Sequence, residues 1–249
     1  ANGQDSLWKI QTTDYHGTYY GATVANGGIG ILPWKEPFSI RHVMLNHVFD
    51  SATPQDVSRV LRGINPFNLQ MQINGQTVNG DNISRWEQCI DMKEATHNTH
   101  FTCDGKADVS YSICALRNLP YAGLVRVEVV ALGDMYLTVS NPIEIPDEYK
   151  NIGSKLVNVN VNGNDIKIVR TWALSKYREQ KVSASSAFIY DKNSSVQQQY
   201  NGSGQISISL KKGEKFFFTL LGAVCTGRDF IDPYNESDRE VIYGAKEGL

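Results

Sequence analysis

The chain alternates apolar and polar residues with a period of two in one short run after another, the pattern of strands that bury a single face. Leu69-Gln70-Met71-Gln72-Ile73 alternates cleanly, and residues 38–45 alternate before the pattern breaks. Further runs of strand character lie at 83–90, 109–116, 123–132, 136–139, 156–161, 166–173, 184–190, 206–210 and 215–224. Asn74-Gly75, Asn79-Gly80 and Asn162-Gly163 fall between runs, where Asn and Gly tolerate the positive φ of a tight hairpin. A parallel sheet needs helical crossovers, and no helical periodicity separates these runs. The expectation is an all-β fold, a large antiparallel sandwich.

Only the end of the sequence reads as helix. Ser237 and Glu240 have capping-box spacing, and Val241, Ile242, Ala245 and Leu249 then share one helical face. This predicts a helix starting near Ser237, with the sandwich over 1–235 and the start of a helical linker over 236–249. An apolar helix face with no partner after so few turns predicts a domain cut from a longer polypeptide.

Composition narrows the function classes. The 249 residues are 41% hydrophobic and 20% charged, enough for a packed core and too balanced for disorder. A formal net charge of -2, with no Lys/Arg-rich run, argues against a nucleic-acid partner. The most apolar run, 216–224, suits a buried strand and falls far short of the roughly 20 residues of a membrane-spanning helix. The opening Ala1-Asn2-Gly3-Gln4-Asp5 lacks an initiator Met, which fits a processed targeting segment and predicts a periplasmic or secreted protein. Cys89, Cys103, Cys114 and Cys225 show no C-x-x-C spacing, which disfavours a zinc ribbon or redox motif and leaves buried thiols and two disulfides both open.

The candidate chemical motifs are thin. Gly27-Gly28-Ile29-Gly30 lacks phosphate-loop spacing, and Pro33 opposes a following helix, so the segment reads as a turn between strands. His97 and His100 lack the i,i+4 spacing of a helical zinc site, and His42 and His47 lie five apart on a strand pattern, so neither pair predicts a metal. There is no G-x-S-x-G elbow, and no Cys has a neighbouring His. Carboxylates such as Glu36, Asp50, Glu87, Asp91, Glu94, Asp104 and Asp108 are plentiful, but glycoside chemistry depends on their separation. Aromatic rings make sugar platforms: Trp8, Trp34, Trp86 and Trp172, with Tyr15, Tyr19 and Tyr20. Trp86 and Trp172 sit in strand patterns and read as core. Trp34, in Leu32-Pro33-Trp34-Lys35-Glu36-Pro37, reads as the projecting tip of a stiffened loop. Trp34, Lys35 and Glu36 are therefore the candidate substrate-binding residues, with no catalytic residue, metal or cofactor expected in this chain.

Several short motifs, in order, resemble one family. Tyr20-Gly21-Ala22-Thr23-Val24-Ala25-Asn26-Gly27-Gly28-Ile29-Gly30 resembles the opening of the amino-terminal domain of glycoside hydrolase family 65, which includes maltose, trehalose and kojibiose phosphorylases and related glucosidases. Ser84-Arg85-Trp86-Glu87-Gln88-Cys89-Ile90-Asp91-Met92-Lys93 is similar to that family's R-x-LDM strand, and Thr99-His100-Phe101 to the strand ending that follows it. Arg126-Val127-Glu128-Val129, before an acidic turn at Asp134, and Thr226-Gly227-Arg228-Asp229 continue the resemblance. Gly28 departs from the aromatic usual in the opening motif, and Cys89-Ile90 from the commoner Leu.

The resemblance implies a galactose-mutarotase-like super-β-sandwich joined by helices to an (α/α)6 barrel that carries the general acid. The expected partners are that barrel in the same polypeptide and an α-linked glucosyl oligosaccharide, with a homodimer left open by the sequence. The expected function is that of a non-catalytic domain of an inverting α-glucoside hydrolase or phosphorylase. Two alternatives stand beside it: a stand-alone carbohydrate-binding module, and a mutarotase-like sugar epimerase that would bring a His and a Glu into one cleft.

Overall fold

The computed structural model describes residues 5–19, 21–51, 57–161, 163–191 and 195–248. Tyr20 and Asn162 lie outside the described residues. After a 3₁₀ turn at Asp5–Trp8 the strands run, in chain order, as β1 (Lys9–Thr12), β2 (Val24–Ala25), β3 (Ile29–Pro33), β4 (Ile40–Ser51), β5 (Ser58–Arg62), β6 (Gln70–Ile73), β7 (Gln76–Thr77), β8 (Ile83–Asp91), β9 (Thr96–Cys103), β10 (Ala107–Ala115), β11 (Ala122–Ala131), β12 (Met135–Asn141), β13 (Tyr149–Val161), β14 (Asn164–Ser175), β15 (Lys181–Tyr190), β16 (Gln197–Tyr200), β17 (Gly204–Leu210) and β18 (Lys215–Thr226). One helix, α1 (Pro233–Lys246), follows.

The strands form three sheets. Nine strands pair in the order β1-β8-β9-β10-β11-β18-β15-β14-β13, five as β16-β17-β12-β6-β7, and four as β2-β3-β4-β5. Every pairing among them is antiparallel. One apolar cluster joins the sheets: Ile31 and Val43 come from the smallest, Met71, Leu137 and Ile206 from the five-stranded one, and Phe101, Val127 and Phe218 from the largest. The fold is thus a large antiparallel β-sandwich whose two smaller sheets cover one face of the nine-stranded sheet.

Helix α1 covers part of the other face. Its Val241, fully buried, packs with Leu124, Ile168, Leu221 and Ala223 in a second cluster. From Phe218 to Thr226 strand β18 is therefore covered on both sides, the physical reason that its sequence reads as an apolar run rather than an alternation, while Phe217 near its start stays exposed. The helix starts four residues earlier than the capping-box spacing predicts. Asp232 is the cap, accepting from the backbone N–H groups of Tyr234 and Asn235 (both 3.2 Å), with Pro233 in the first turn. Ser237 is instead wholly buried, its hydroxyl 2.8 Å from those of both Ser183 and Ser185 on β15.

The turns divide by backbone conformation. Asn74 (φ 52°) and Gly75 (φ 79°) make the expected two-residue hairpin between β6 and β7. Gly27 (φ 96°) turns the β2–β3 hairpin as the sequence predicts. At Asn79-Gly80 the expectation fails, because neither residue takes a positive φ. Gly80 is needed for close approach: a Cβ there would sit 2.1 Å from the Tyr15 hydroxyl oxygen.

Candidate functional site

Strand β3 delivers the chain into the Trp34 loop, and Phe38 holds the base of that loop in the core. Phe38 is buried, stacks on Tyr111 with ring centroids 4.5 Å apart, and donates its N–H to the Tyr111 hydroxyl (3.0 Å). The loop closes on itself, Trp34 N–H donating to the Ser39 carbonyl (2.8 Å) and Ser39 N–H to that of Glu36 (3.1 Å).

The three candidate residues come together, but not as a projecting tip. Trp34 is half-buried between the Arg41 guanidinium, 4.2 Å from its ring, and the edge-on ring of Tyr19 at 4.9 Å. Its carbonyl accepts from Gln88 Nε2 (3.0 Å). Lys35 Nζ lies 5.5 Å from the Tyr15 ring centroid, and exposed Glu36 accepts from the Tyr15 hydroxyl at 2.5 Å. Partial burial and this acidic partner push the Tyr15 phenol above its ordinary range. Both Lys35 and Glu36 are thereby turned back onto the N-terminal segment. A proline-rich loop sequence does not show this, because Tyr15 and Tyr19 reach the loop only through the folding of residues 13–19.

Behind the loop lies a polar floor. Trp86 and Gln88 point inward from β8, His97 and Thr99 from β9, and Gln88 stands directly across from Thr99 in the register. All four are buried, with His97 2% and Gln88 3% exposed. Among the described residues, Trp86 Nε1 and His97 Nδ1 are buried without a side-chain partner, whereas Gln88 and Thr99 both lie within hydrogen-bonding reach of the Tyr111 hydroxyl. His97 Nε2 lies 3.3 Å from the Tyr19 hydroxyl, and burial brings the imidazole pKa down to about 4, so the ring is neutral near pH 7. Gln88 and His97 floor a cleft of about 230 Å³ whose other walls include Ile10, Asp14, Tyr19 and Ile90. Trp86 is core, as expected. Trp172 is half-buried, placed over Gly153 and edge-on to Tyr234 of α1 at 6.2 Å.

On the opposite face of the same strands, register makes a polar row that ends in an aromatic ring. Glu87, His100, Ser110, Glu128 and Phe217 follow one another across β8, β9, β10, β11 and β18. A shallow depression of about 280 Å³ opens over them, with Arg126 beside Glu128 and the Phe217 ring 54% exposed. His100 Nε2 lies 3.1 Å from Asp108 Oδ1, which also accepts from the Thr102 hydroxyl (2.9 Å). Burial alone would raise the Asp108 carboxyl, but these two hydrogen bonds outweigh it and hold it below its ordinary value. The acidic partner that sequence spacing did not give His100 is thus supplied by the short turn between β9 and β10.

Among the described residues, no group of three or more His, Cys, Asp or Glu side chains is arranged to hold a metal ion. All four cysteines are unpaired, and no helix of the described residues is long and apolar enough to cross a membrane.

The comparisons with known proteins agree along nearly the whole chain. A kojibiose hydrolase of Flavobacterium johnsoniae is 30% identical over 97% of this chain, and one of Mucilaginibacter mallensis is 28% identical over 92%. This chain spans 37% and 35% of those two proteins. The solved structure of a putative kojibiose phosphorylase from the human microbiome matches 90% of this chain with a TM-score of 0.70 and 10% identity, and the match covers 33% of that chain, so the likeness speaks to fold alone. The family model for the N-terminal domain of glycosyl hydrolase family 65 matches residues 21–248, and the chain belongs to that family.

Proposed function

We propose that this domain is the non-catalytic β-sandwich of a longer enzyme that hydrolyses kojibiose or a closely related α-glucoside, with the general acid on an (α/α)6 barrel of the same polypeptide. One observation carries the reading: two kojibiose hydrolases align with almost all of this chain, yet it spans little more than a third of each. Hydrolysis is favoured over phosphorolysis because those relatives are hydrolases at 28–30% identity, whereas the phosphorylase shares the fold at 10%. Within this reading Trp34, Lys35 and Glu36 border the substrate cleft of the barrel. The support is local: one loop presents a ring and two charges, held by Arg41, Tyr19 and Tyr15 so that little side-chain freedom is lost on contact. We further propose that the enzyme is exported, which cell fractionation tests. The four thiols are all kept protonated by burial and neither need nor preclude an oxidising compartment.

The test is to incubate the full-length polypeptide with kojibiose, with and without inorganic phosphate. Phosphate-independent release of free sugar, with the 249-residue chain alone inert on kojibiose, maltose and trehalose, is the expected result. Strictly phosphate-dependent release of a sugar phosphate would replace hydrolysis by phosphorolysis, and turnover by the isolated chain would remove the non-catalytic role.

A further inference from the structure

Each of the three sheets has two edges, and five of the six edge strands carry a recognisable protection against pairing with another chain. Strands β1 and β16 are four residues long, β2 and β7 are two, and β5, at five, carries Arg59 and Arg62. The sixth, β13, is the longest strand of the fold at 13 residues. Its first half is protected, since the register shifts between Lys150 and Gly153 and Lys155 is exposed. Its second half, Val157-Asn158-Val159-Asn160-Val161, has no charge, proline, glycine or bulge and pairs in unbroken register with β14. Among the described residues, no backbone hydrogen bond joins 157–161 to anything other than β14.

An open edge presents unpaired N–H and C=O groups that an added strand satisfies, and the side chains select which strand. Val157 and Val159, half-buried, and Val161, buried, lie on the face that α1 covers and pack in its cluster. Asn158 and Asn160 are exposed on the other face. A two-fold axis through Val159, perpendicular to the sheet, sets Val157 opposite the partner subunit's Val161 and Asn158 opposite the partner subunit's Asn160. Apolar then meets apolar and amide meets amide, and an amide side chain both donates and accepts. This axis also leaves Lys155 outside the ladder, whereas an axis through Asn158 would set it against Val161 and one through Val157 against Val159. We propose that residues 157–161 of β13 are the interface of a homodimer, in which two nine-stranded sheets join edge to edge as one antiparallel sheet. The contact is isologous and uses up the open edge of both copies, so it closes at two and does not grow into a fibre. Five residues a side make a small ladder, so the dimer forms with rising concentration and is not permanent. The interface lies wholly within this chain and does not depend on the proposed hydrolysis.

The experiment is sedimentation equilibrium of the 249-residue chain over a wide range of concentration, with amide hydrogen exchange measured at both ends of that range. A reversible monomer–dimer equilibrium is expected, with exchange within 157–161 slowed at high concentration. Asn158→Lys combined with Asn160→Lys sets like charges opposite one another twice across the axis and should weaken the dimer about tenfold. Asn158→Glu combined with Asn160→Lys sets opposite charges there and should tighten it about three- to tenfold. The second pair of changes also suits the single chain, because Lys167 of β14 stands across from Asn158 and Asp165 across from Asn160. An unchanged thermal melt at low concentration checks that each variant folds, and if the first variant melts low the second carries the test by itself. A chain that stays monomeric at every concentration, or a dimer whose affinity neither variant changes, would overturn the proposal. So would a monomeric full-length polypeptide with 157–161 protected from exchange, which would give the edge to another part of the same polypeptide. Failure of the full-length polypeptide to hydrolyse kojibiose would leave these measurements untouched.

Discussion

Arg170 on β14 projects from the face of the nine-stranded sheet that α1 packs on and holds Asp238 of that helix, Nε donating to Oδ2 at 3.0 Å and a terminal nitrogen to the same oxygen, with both side chains under a tenth exposed. The same carboxylate accepts from the Ser185 hydroxyl on β15 (2.6 Å), and Arg170 also donates to Asn235 (3.1 Å). The helix is thus tied to two neighbouring strands by charge-assisted hydrogen bonds as well as by the apolar contact of Val241. Gly244 lets the helix come close, since a Cβ there would meet Leu221 at 2.6 Å. The helix is part of the sandwich's packing.

Removing one partner of this pair should be costly. Asp238→Ala leaves the Arg170 guanidinium buried and uncompensated, and the expected loss is about 3–5 kcal/mol of unfolding free energy in urea denaturation. The double variant Arg170→Met, Asp238→Leu should lose less, because it leaves no orphaned charge. A loss below about 1 kcal/mol for Asp238→Ala would show that the pair does not anchor the helix.

Much of this architecture is legible in the sequence, and the illegible part has one cause. Alternation in 69–73 and 109–116 shows strands, and Asn74-Gly75 shows a hairpin, because those signals are local to a few residues. The start of α1 is misread because Ser237 and Glu240 happen to have capping-box spacing, while Ser237 is spent on a cross-element hydroxyl cluster with Ser183 and Ser185. The site depends on which strands become neighbours. Insertion of β18 between β11 and β15 brings Phe217 beside Glu128, and the register of β8 on β9 sets Gln88 against Thr99 and near His97. No period in the sequence encodes that order. Trp34 illustrates the same limit, since its exposure is decided by Arg41 and by Tyr19, on a segment that folds back from before β2.

Gly28 departs from the aromatic that the resembling motif carries, and the fold supplies the reason. A Cβ on Gly28 would lie 2.1 Å from the Pro120 carbonyl oxygen, in the β10–β11 connection that Asn26 also binds by donating to the Leu116 carbonyl (2.7 Å). Backbone stands in the way, so a rotamer change gives no relief. Gly28→Ala should cost about 1–3 kcal/mol in thermal or chemical unfolding. Gly133→Ala, with nothing within 4 Å of its Cβ and no positive φ, should be neutral or slightly stabilising. Equal effects at the two positions would contradict the close approach.

Acid should weaken the fold through His97. Its folded imidazole titrates at about 4 and an ordinary one at 6.5. Above 6.5 both states are neutral and the group contributes its full stabilisation. Between 6.5 and 4 the unfolded chain binds a proton that the folded chain refuses, so stability falls as pH is lowered, by up to about 3 kcal/mol in total. Urea midpoints measured across that window for the natural chain and for His97→Gln should diverge, with the variant showing the shallower decline. Parallel pH profiles would mean that His97 is hydrated in the folded state.

Trp34→Ala separates what the ring does for this domain from what it does for an enzyme. Within the domain the indole contributes a cation–π contact with Arg41 and an edge contact with Tyr19, and its loss should cost about 1–2 kcal/mol and lower the melting temperature of the isolated chain. Trp34→Phe keeps an aromatic face under Arg41 and should recover most of that loss. In the full-length polypeptide, if the loop borders the substrate, Trp34→Ala should lower kcat/KM by the equivalent of about 1–3 kcal/mol even where the protein remains folded. Trp34→Phe should then restore the melting temperature more completely than the turnover, because packing needs a ring and a shaped contact needs this ring. Lys35→Ala and Glu36→Gln sharpen the comparison, since neither side chain contributes to the buried core and both act only through their exposed ends and their contacts with Tyr15. A lowered melting temperature with unchanged kcat/KM in all of these variants would reduce Trp34, Lys35 and Glu36 to an edge-covering turn and end their assignment to substrate binding.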